Sequence, residues 1–285
     1  MNENTTLVLV SHKSKNLILK FIKEIYKKLN IIIIDNSNDL QLKKKIKESY
    51  PNITLKIVEN NGYAAAINYA SRLIKTKYFI ISNPDVEGIN EKVINEFEIY
   101  ATLLKDKFSC LGPRFINTNP KSHIQSNQKS DIAPMKFISG ACMFFEKKNF
   151  DSLGGFDENF FLYFEESDYC FRGYKKNKNY QINKIKVNHH VGSSVKIRND
   201  DEKEELQNLY TWHFIWSKFY YYKKHYSFIV AITYFIPIII RIKFRIIYYT
   251  IKKNKKNVQK YKNRWSGLIN SIKGKKSFKR INEII

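Results

Sequence analysis

Short runs of β-forming residues alternate with segments of helical spacing through the first hundred residues. Between the runs, apolar residues recur every three or four positions, as at Leu17, Phe21 and Ile25. Such alternation predicts an α/β sheet with parallel strands, right-handed crossovers and flanking helices. The predicted strands are residues 6–10, 31–34, 53–58 and 78–81, and the four isoleucines of 31–34 suit a strand buried on both faces.

Polar residues follow each predicted strand. Ligands of such sheets bind beyond the carboxyl ends of the strands, which makes these positions candidates for a binding site. Because Ser, Asp and Asn are also favoured in turns and helix caps, a purely structural role stays open for each of them. The candidates are Ser11, Asp35, Asn36, Asn60, Gly62, Asn83 and Asp85.

The segment after the first predicted strand, SHKSKN, contains no glycine. It is neither a dinucleotide-binding fingerprint nor a phosphate-binding P-loop, which argues against a dehydrogenase or an NTPase. The three cysteines have no close pair among them, so neither a disulfide scaffold nor a Cys-rich zinc site is expected. The first residues lack the pattern of a signal peptide, so we expect a cytoplasmic location.

Residues 137–176 hold the most unusual composition of the chain. FISGACMFF predicts a buried strand whose Ser139 and Gly140 let a ligand approach the backbone closely. An aromatic run then leads into Glu165, Glu166 and Asp168 at the predicted start of a helix. Acids there suit the helix dipole, but carboxylates beside apolar rings also suit a general base.

Two histidines, His189 and His190, stand at the end of a later predicted strand, before a Gly/Ser segment. A histidine and a carboxylate can together bind a divalent cation. Asp85, which follows the turn at Asn83-Pro84, is the carboxylate placed to ligate a hard cation that also binds phosphate oxygens. A simple turn role for Asp85 stays open at this level.

The order and spacing of seven segments resemble the motif series of family 2 glycosyltransferases, most closely the rhamnosyltransferase-like branch. The resemblance covers about residues 5–196 and implies the GT-A fold, a Rossmann-like mixed sheet flanked by helices. The segments are VSHKS, IIIIDNSND, NNGYAAAIN, ISNPDV, FISGACMFF, GGFDENFFLYFEESDYCFRGYKK and HHVGSS.

The resemblance implies a role for several residues of the nucleotide-binding half. Asp35 is similar to the acid that reads the nucleotide base, with Ser11 and Asn36 nearby, and Gly62 and Asn68 lie in the segment that contacts the nucleotide sugar. Further residues expected at the nucleotide sugar are Asn60, Asn83, Asp85, Ser139 and Gly140.

The resemblance also implies a metal site and a catalytic base. Asp85 is similar to the metal-binding acid, and His189 matches the metal-binding histidine better than His190 does. Glu166 occupies the position of the base, where the family usually has Asp, so Glu165 is the alternative; Asp168 completes the acidic group. The implied reaction is an inverting, Mg²⁺- or Mn²⁺-dependent transfer of a sugar, with rhamnose the usual choice of the branch, from a nucleotide diphosphate to a hydroxyl of a glycan or lipid-linked acceptor in cell-surface polysaccharide assembly.

The net charge of +24 is concentrated at the C-terminal end of the chain. Residues 211–285 hold 18 Lys or Arg and one acid, a net charge of +17. We therefore predict a glycosyltransferase domain over 1–200 and a basic, aromatic helical extension over 201–285. The uncharged stretch 226–240, interrupted by Pro237, fits an interfacial or re-entrant helix at the anionic inner face of the cell membrane better than a membrane span. A C-terminal helical subdomain that packs on the catalytic domain stays open.

Two other functions compete with this interpretation. Clustered lysines interleaved with tyrosines suit nucleic-acid binding, but that function leaves the acidic site residues unused, so no specific nucleic-acid partner is expected. The Glu at 166 and the Asn at 83 also fit a catalytically inactive relative of the glycosyltransferases.

Overall fold

The computed structural model describes residues 2–117, 123–190 and 199–280. The strands are β1 Asn2–Ser11, β2 Leu29–Asp35, β3 Thr54–Ile57, β4 Tyr78–Ser82, β5 Val86–Glu87, β6 Cys110–Phe115, β7 Ile132–Met135, β8 Cys142–Glu146 and β9 Asn179–His189. The helices are α1 Lys15–Ile22, α2 Leu40–Ser49, α3 Tyr63–Leu73, α4 Glu91–Leu103, α5 Lys147–Ser152, α6 Glu165–Lys176, α7 Asp200–Tyr226, α8 Phe228–Ile251 and α9 Lys255–Ile272.

The strands form a mixed sheet in the order β3-β2-β1-β4-β8-β6-β9-β5, with β7 paired to β9. The first four strands are parallel to one another, as predicted, whereas β8 runs antiparallel to β4. Helices flank this sheet, and the basic helical region α7–α9 follows it. The predicted fold class is therefore confirmed.

Both faces of the central strands are buried. Alternate residues of β1 face two different apolar cores, with Leu7 and Leu9 in one and Val8 in the other, because side chains alternate across a strand. The run Ile31–Ile34 divides between the same two cores, with relative exposures of 0 to 6%. A strand buried on both faces explains why this run carries no polar residue.

The segment 137–141, predicted as strand, is a loop instead, and β8 begins only at Cys142. Cys142 pairs with Ser82, the last residue of β4. Before that pair, the Ser139 hydroxyl accepts from the Ala141 backbone N–H at 3.3 Å, a local side-chain bond that favours a turn over a ladder. This loop brings Ser139 and Gly140 to the carboxyl end of β4.

The chain divides into two compact units, residues 1–157 with 166–196, and residues 158–165 with 197–285. In the second unit, α7 begins at the cap Asn199, whose side chain accepts from the Glu202 N–H at 2.8 Å. Three acids in its first turn favour this start through the helix dipole. The core of this unit joins α7, α8 and α9 through Phe219, Phe235 and Leu268.

The expectation that Pro237 interrupts the apolar stretch was wrong, because α8 continues through it from Phe228 to Ile251. A proline costs an internal helix one hydrogen bond and some strain. Burial of Phe235 and Ile242 on either side of the proline offsets this cost. Within the ranges described above, no helix is both long and apolar enough to cross a membrane.

Candidate active site at the carboxyl ends of the strands

The carboxyl ends of β1, β2 and β4 lie side by side. Parallel pairing sets Ser11 opposite Asp35 and Leu9 opposite Ser82. The polar residues that follow these strands therefore meet at one edge of the sheet, as the sequence predicts. This edge is where open α/β sheets bind their ligands.

Side-chain hydrogen bonds join the residues that follow β1, β2 and β3. The His12 ring nitrogen Nδ1 lies 2.9 Å from Asn36 Oδ1, and the Asn36 amide donates to Asn60 Oδ1 at 3.2 Å. The same Asn60 oxygen accepts from the Gly62 N–H at 3.4 Å. Gly62 has a φ of +100°, which favours glycine at the start of α3. Sequence reasoning placed these amides together but did not include His12 among the site residues.

Asp35 is fully buried, and its carboxylate organises its own loop. It accepts from the Ser37 hydroxyl at 2.8 Å and from the Asp39 N–H at 2.8 Å, while Asp39 caps α2. These are the bonds of a turn-forming residue. Ser11, also fully buried, lies 3.4 Å from the Ser14 hydroxyl and accepts from the Asn36 N–H through its carbonyl.

Asn68 makes two hydrogen bonds to the backbone of Phe156, which lies in the turn before residue 157. Its amide donates to the Phe156 carbonyl at 2.9 Å, and its oxygen accepts from the Phe156 N–H at 3.0 Å. A Cβ at Gly155, where φ is +65°, would meet the Asn68 oxygen at 2.6 Å. These contacts give Asn68 a structural role in holding this turn against α3.

The loop 139–141 lies beside both the segment that follows β4 and the start of α6. The Asn83 N–H donates to the Ala141 carbonyl at 2.8 Å. A Cβ at Gly140 would lie 3.3 Å from Cβ and Cγ of Glu166, so glycine leaves room for that side chain. The Tyr63 hydroxyl lies 3.5 Å from the Gly140 carbonyl. The structure therefore brings the Asn83 segment, the loop and Glu166 together.

The three acids at the start of α6 differ in their surroundings. Asp168 is fully buried and pairs with Arg172 at 2.9 Å. Arg172 also donates to the carbonyls of Leu153 and Gly155, so this pair braces the preceding turn. Glu166 is half-buried and accepts from the Ser167 hydroxyl at 3.1 Å. Glu165 is buried and belongs to the second unit.

The two histidines contact different acids. Val86 of β5 pairs with His189 of β9, and the Asp85 Oδ1 lies 3.2 Å from the His189 Nε2. The His190 Nε2 lies 3.1 Å from Glu87 Oε2, while the His190 backbone N–H donates to the Asp85 carbonyl at 3.0 Å. The Gly/Ser segment that motivated the histidine assignment falls in 191–198, outside the described residues.

A third histidine, His123, reaches this pair from another part of the chain. Its Nε2 lies 2.8 Å from the His189 Nδ1, and its ring stacks on Phe115 at 4.1 Å between centroids. Burial, with a smaller contribution from His189, lowers the pKa of His123 to about 4, so the ring is neutral at pH 7. No sequence pattern links His123 to His189, since 66 residues separate them.

The donor set of Asp85 and His189 fits a divalent cation. One carboxylate oxygen and one imidazole nitrogen converge, both in nearly buried side chains, and manganese accepts both ligand types. Among residues 2–117, 123–190 and 199–280, no group of three or more His, Cys, Asp or Glu could hold a metal ion. Mg²⁺ and its substitutes are commonly held by one or two protein ligands with substrate phosphates supplying others.

The fold and the candidate site together have the arrangement of a nucleotide-dependent transferase of the GT-A type. The fold is a Rossmann-like mixed sheet, and the site combines polar strand ends, a carboxylate–histidine pair and an acid on a helix. The model of the family described as glycosyl transferase family 2 matches residues 6–154. The chain belongs to this family.

The relative and the solved structures described next share little sequence identity with this chain. A curated relative, the low-salt glycan biosynthesis hexosyltransferase Agl10 of Haloferax volcanii, is 23% identical over 63% of this chain, and the match spans 64% of that relative's length. The structure of the mannosyltransferase PcManGT of Pyrobaculum calidifontis, in complex with GDP-Man and Mn²⁺, is 12% identical with a TM-score of 0.56, covering 97% of this chain and 89% of that one.

A fragment of S. aureus TarS, residues 1–349, in complex with UDP-GlcNAc, is 10% identical with a TM-score of 0.53, covering 95% of this chain and 92% of that one. At these identities the structural likeness supports the fold alone.

Proposed function

We propose that this protein is an inverting glycosyltransferase that moves a sugar from a nucleotide diphosphate to a hydroxyl of a glycan or lipid-linked acceptor. One observation carries the proposal, the proximity of the Asn83 segment and Glu166 around the loop 139–141: the Asn83 N–H donates to the Ala141 carbonyl, and a Cβ at Gly140 would lie 3.3 Å from the half-buried Glu166. This proximity supports a diphosphate held near Asp85 and a base at Glu166 on adjoining segments. Family membership supports the same class of reaction.

Glu166 is the proposed general base. Its carboxylate takes the proton of the acceptor hydroxyl as that oxygen attacks the anomeric carbon, on the face opposite the leaving diphosphate. The bond from the anomeric carbon to the diphosphate oxygen breaks as the new glycosidic bond forms, so the configuration inverts. Asp168 is less suited, because Arg172 already holds its carboxylate, and Glu165 is only 6% exposed.

Asp85 and His189 are the proposed cation ligands, with His190 excluded from the pair by its contact to Glu87. A Mg²⁺ or Mn²⁺ held by these two side chains would supply positive charge opposite the departing diphosphate. The strand-end amides of Asn36 and Asn60 border the proposed nucleotide pocket, with Asn83, Ser139 and Gly140 nearer the sugar. Positioning both substrates in line contributes much of the rate enhancement in such reactions.

The proposed donor and acceptor are based on the family resemblance and on the relatives. Rhamnose from a deoxythymidine diphosphate carrier is the first donor to test, because the motif series is most similar to that branch. The neighbours' complexes with GDP-Man and UDP-GlcNAc make those donors the alternatives. The relative Agl10 is a glycan biosynthesis hexosyltransferase, which supports a glycan acceptor. We place the reaction in cell-surface polysaccharide assembly at the inner face of the cell membrane.

The test begins with a panel of nucleotide sugars, screened by thermal shift with and without Mn²⁺. The donor that binds is then used in turnover assays of the wild type, Glu166→Gln and the neighbouring control Glu165→Gln. We expect Glu166→Gln to lose turnover while its donor affinity stays within a few-fold of wild type, and Glu165→Gln to retain turnover.

Three outcomes would contradict parts of the proposal. Near-wild-type turnover by Glu166→Gln would move the base elsewhere. Donor binding without turnover by the wild type, over a broad acceptor panel, would indicate a catalytically inactive relative. A product whose anomeric configuration, read by NMR, matches that of the donor would rule out inversion.

A further inference from the structure

Helix α8 carries a row of large apolar side chains that face solvent. The members are 47 to 74% exposed, whereas many of the protein's other isoleucines are buried in its cores. We call this set the outer row of α8: Ile229, Ile236, Ile240, Phe244, Ile247 and Ile251. Exposed apolar surface that is continuous, rather than scattered, marks a site of interaction.

Helical geometry gathers the outer row into one stripe. At 100° per residue its six members fall within about 80° of the helix circumference. The opposite side of α8 holds Ala231, Phe235 and Ile242, which are buried in the core shared with α7 and α9. Packing in the protein therefore accounts for only one of the two apolar sides. A helix that covers a soluble core normally presents polar residues outward.

Cations surround this apolar stripe. Arg241 and Lys243 are exposed on α8 itself, and Lys252 and Lys253 follow at its end, with Lys255 and Lys256 beyond them. No acidic residue occurs between Leu206 and Arg280. Of these cations, Lys256 pairs with Glu204 at 3.7 Å, and residues 206–280 themselves supply no carboxylate. The surface around the outer row therefore combines apolar side chains with an excess of positive charge.

Exposed aromatic side chains lie along the same helix and at its start. Tyr234 and Tyr248 of α8 are 43% and 40% exposed, and Tyr226, just before it, is 47% exposed. Tyrosine is enriched at the boundary between the headgroups and the hydrocarbon of a bilayer, because one end of its ring is apolar and the other polar. This composition is typical of helices that lie in the plane of a membrane surface.

We propose that the outer row of α8 inserts into the headgroup–acyl boundary of an anionic lipid bilayer, with the surrounding lysines and arginines on the lipid phosphates. The proposed partner of the outer row is thus a negatively charged lipid surface. This inference rests on the proposed function for its purpose, since a lipid-linked acceptor lies at such a surface. Its evidence, however, is the exposure and charge of α8 alone.

Charge complementarity favours lipid over the other possible occupants. A second copy of this chain docked through the same row would bring two cationic surfaces together without an acid between residues 206 and 280 to pair them. A nucleic acid would bind the cations but would leave six large apolar side chains in water. An anionic bilayer satisfies both features of the surface.

The decisive experiment is flotation of the full chain with vesicles of phosphatidylcholine, alone or mixed with phosphatidylglycerol, at about 0.15 M salt. The test variant is Ile240→Asn/Phe244→Asn. The matched control is Ile99→Asn/Leu103→Asn on α4, because those residues are 58% and 64% exposed, against 62% and 63% for Ile240 and Phe244, with the same spacing of four.

We expect the wild type and the α4 control to float with the mixed vesicles and the α8 variant to remain in the soluble fraction. A second variant, Lys252→Gln/Lys253→Gln, should weaken binding roughly fivefold for each cation removed, and less at high salt. Circular dichroism and donor binding check that each variant is folded. Turnover with a soluble acceptor should be equal in all of them, because α8 holds none of the proposed catalytic residues.

Flotation of the α8 variant equal to that of the wild type, or no flotation of the wild type, would overturn the proposal. A concentration-dependent dimer that only the α8 variant abolishes, without vesicle binding by the wild type, would assign the row to a second copy instead. Retention of RNA or DNA without vesicle binding would assign the basic surface to nucleic acid. Failure of turnover with normal flotation would refute the proposed function and leave this inference standing.

Discussion

Replacing His123 with phenylalanine should weaken cation binding without unfolding the protein. A cation bound by His189 Nε2 requires the proton on Nδ1, which then donates to His123 Nε2 across the observed 2.8 Å. Without a cation, the Nε2–H faces Asp85 and Nδ1 accepts from His123 instead. His123 serves both arrangements because a neutral imidazole has one donor and one acceptor. Phenylalanine keeps the stack on Phe115 but has neither.

The magnitude follows from the burial of this histidine pair. His123 and His189 are each 8% exposed, so water cannot readily replace the lost bond. A buried polar group left without its partner costs about 1–3 kcal/mol. Removing the outer partner of a metal-binding histidine typically lowers metal affinity about 10- to 100-fold, which corresponds to about 1.4–2.7 kcal/mol. The cost expected from the loss of metal affinity therefore lies within the range expected for a buried group that loses its hydrogen-bond partner.

The assay is Mn²⁺ binding in the presence of the nucleoside diphosphate, followed by the EPR signal of free Mn²⁺. His123→Gln is the matched control, because its amide can donate or accept near the position of Nε2, and it should restore most of the affinity. Equal affinities of His123→Phe and wild type, or equal losses in the Phe and Gln variants, would refute the reasoning. If His189→Ala binds Mn²⁺ as wild type does, the error lies in the proposed metal site itself.

Three further predictions concern the neighbouring structure. Gly140→Ala places a Cβ 3.3 Å from Glu166 and should lower kcat about tenfold with donor affinity unchanged. Arg172→Met removes the ion pair of the buried Asp168 carboxylate and should cost about 3 kcal/mol in urea unfolding. Burial lowers the pKa of His213 from 6.5 to about 4. The unfolded chain therefore takes up this proton first, and stability falls by about 1.4 kcal/mol per pH unit as pH drops from 6.5 to 4; His213→Gln should reduce that slope.

Each of these has a result that would contradict it. A Gly140→Ala enzyme with unchanged kcat would mean that Glu166 tolerates the displacement or is not the base. Arg172→Met with wild-type stability would mean that Asp168 finds another partner or is protonated. An unchanged pH slope in His213→Gln would assign the acid sensitivity to other groups.

Local patterns in the sequence were sufficient for much of the fold. The strand runs, the helix beginning at Glu165 and the polar residues after each strand could all be read from spacing and composition, because these depend on neighbours in sequence. The loop at 137–141 could not, since it depends on where β4 ends and pairs with β8. The continuity of α8 through Pro237 was also missed, because tertiary burial on both sides outweighs the local cost of proline.

The sequence by itself determined that acids, amides and histidines follow the strands of an α/β sheet, and that most of the cationic charge belongs to a later part of the chain. Only the tertiary structure decided which histidine meets Asp85, because the pairing of β5 with β9 brings these side chains together across about a hundred residues of sequence. It also added His123, whose partner is 66 residues away. Local sequence encodes which residues end a strand, whereas long-range pairing decides which of them touch.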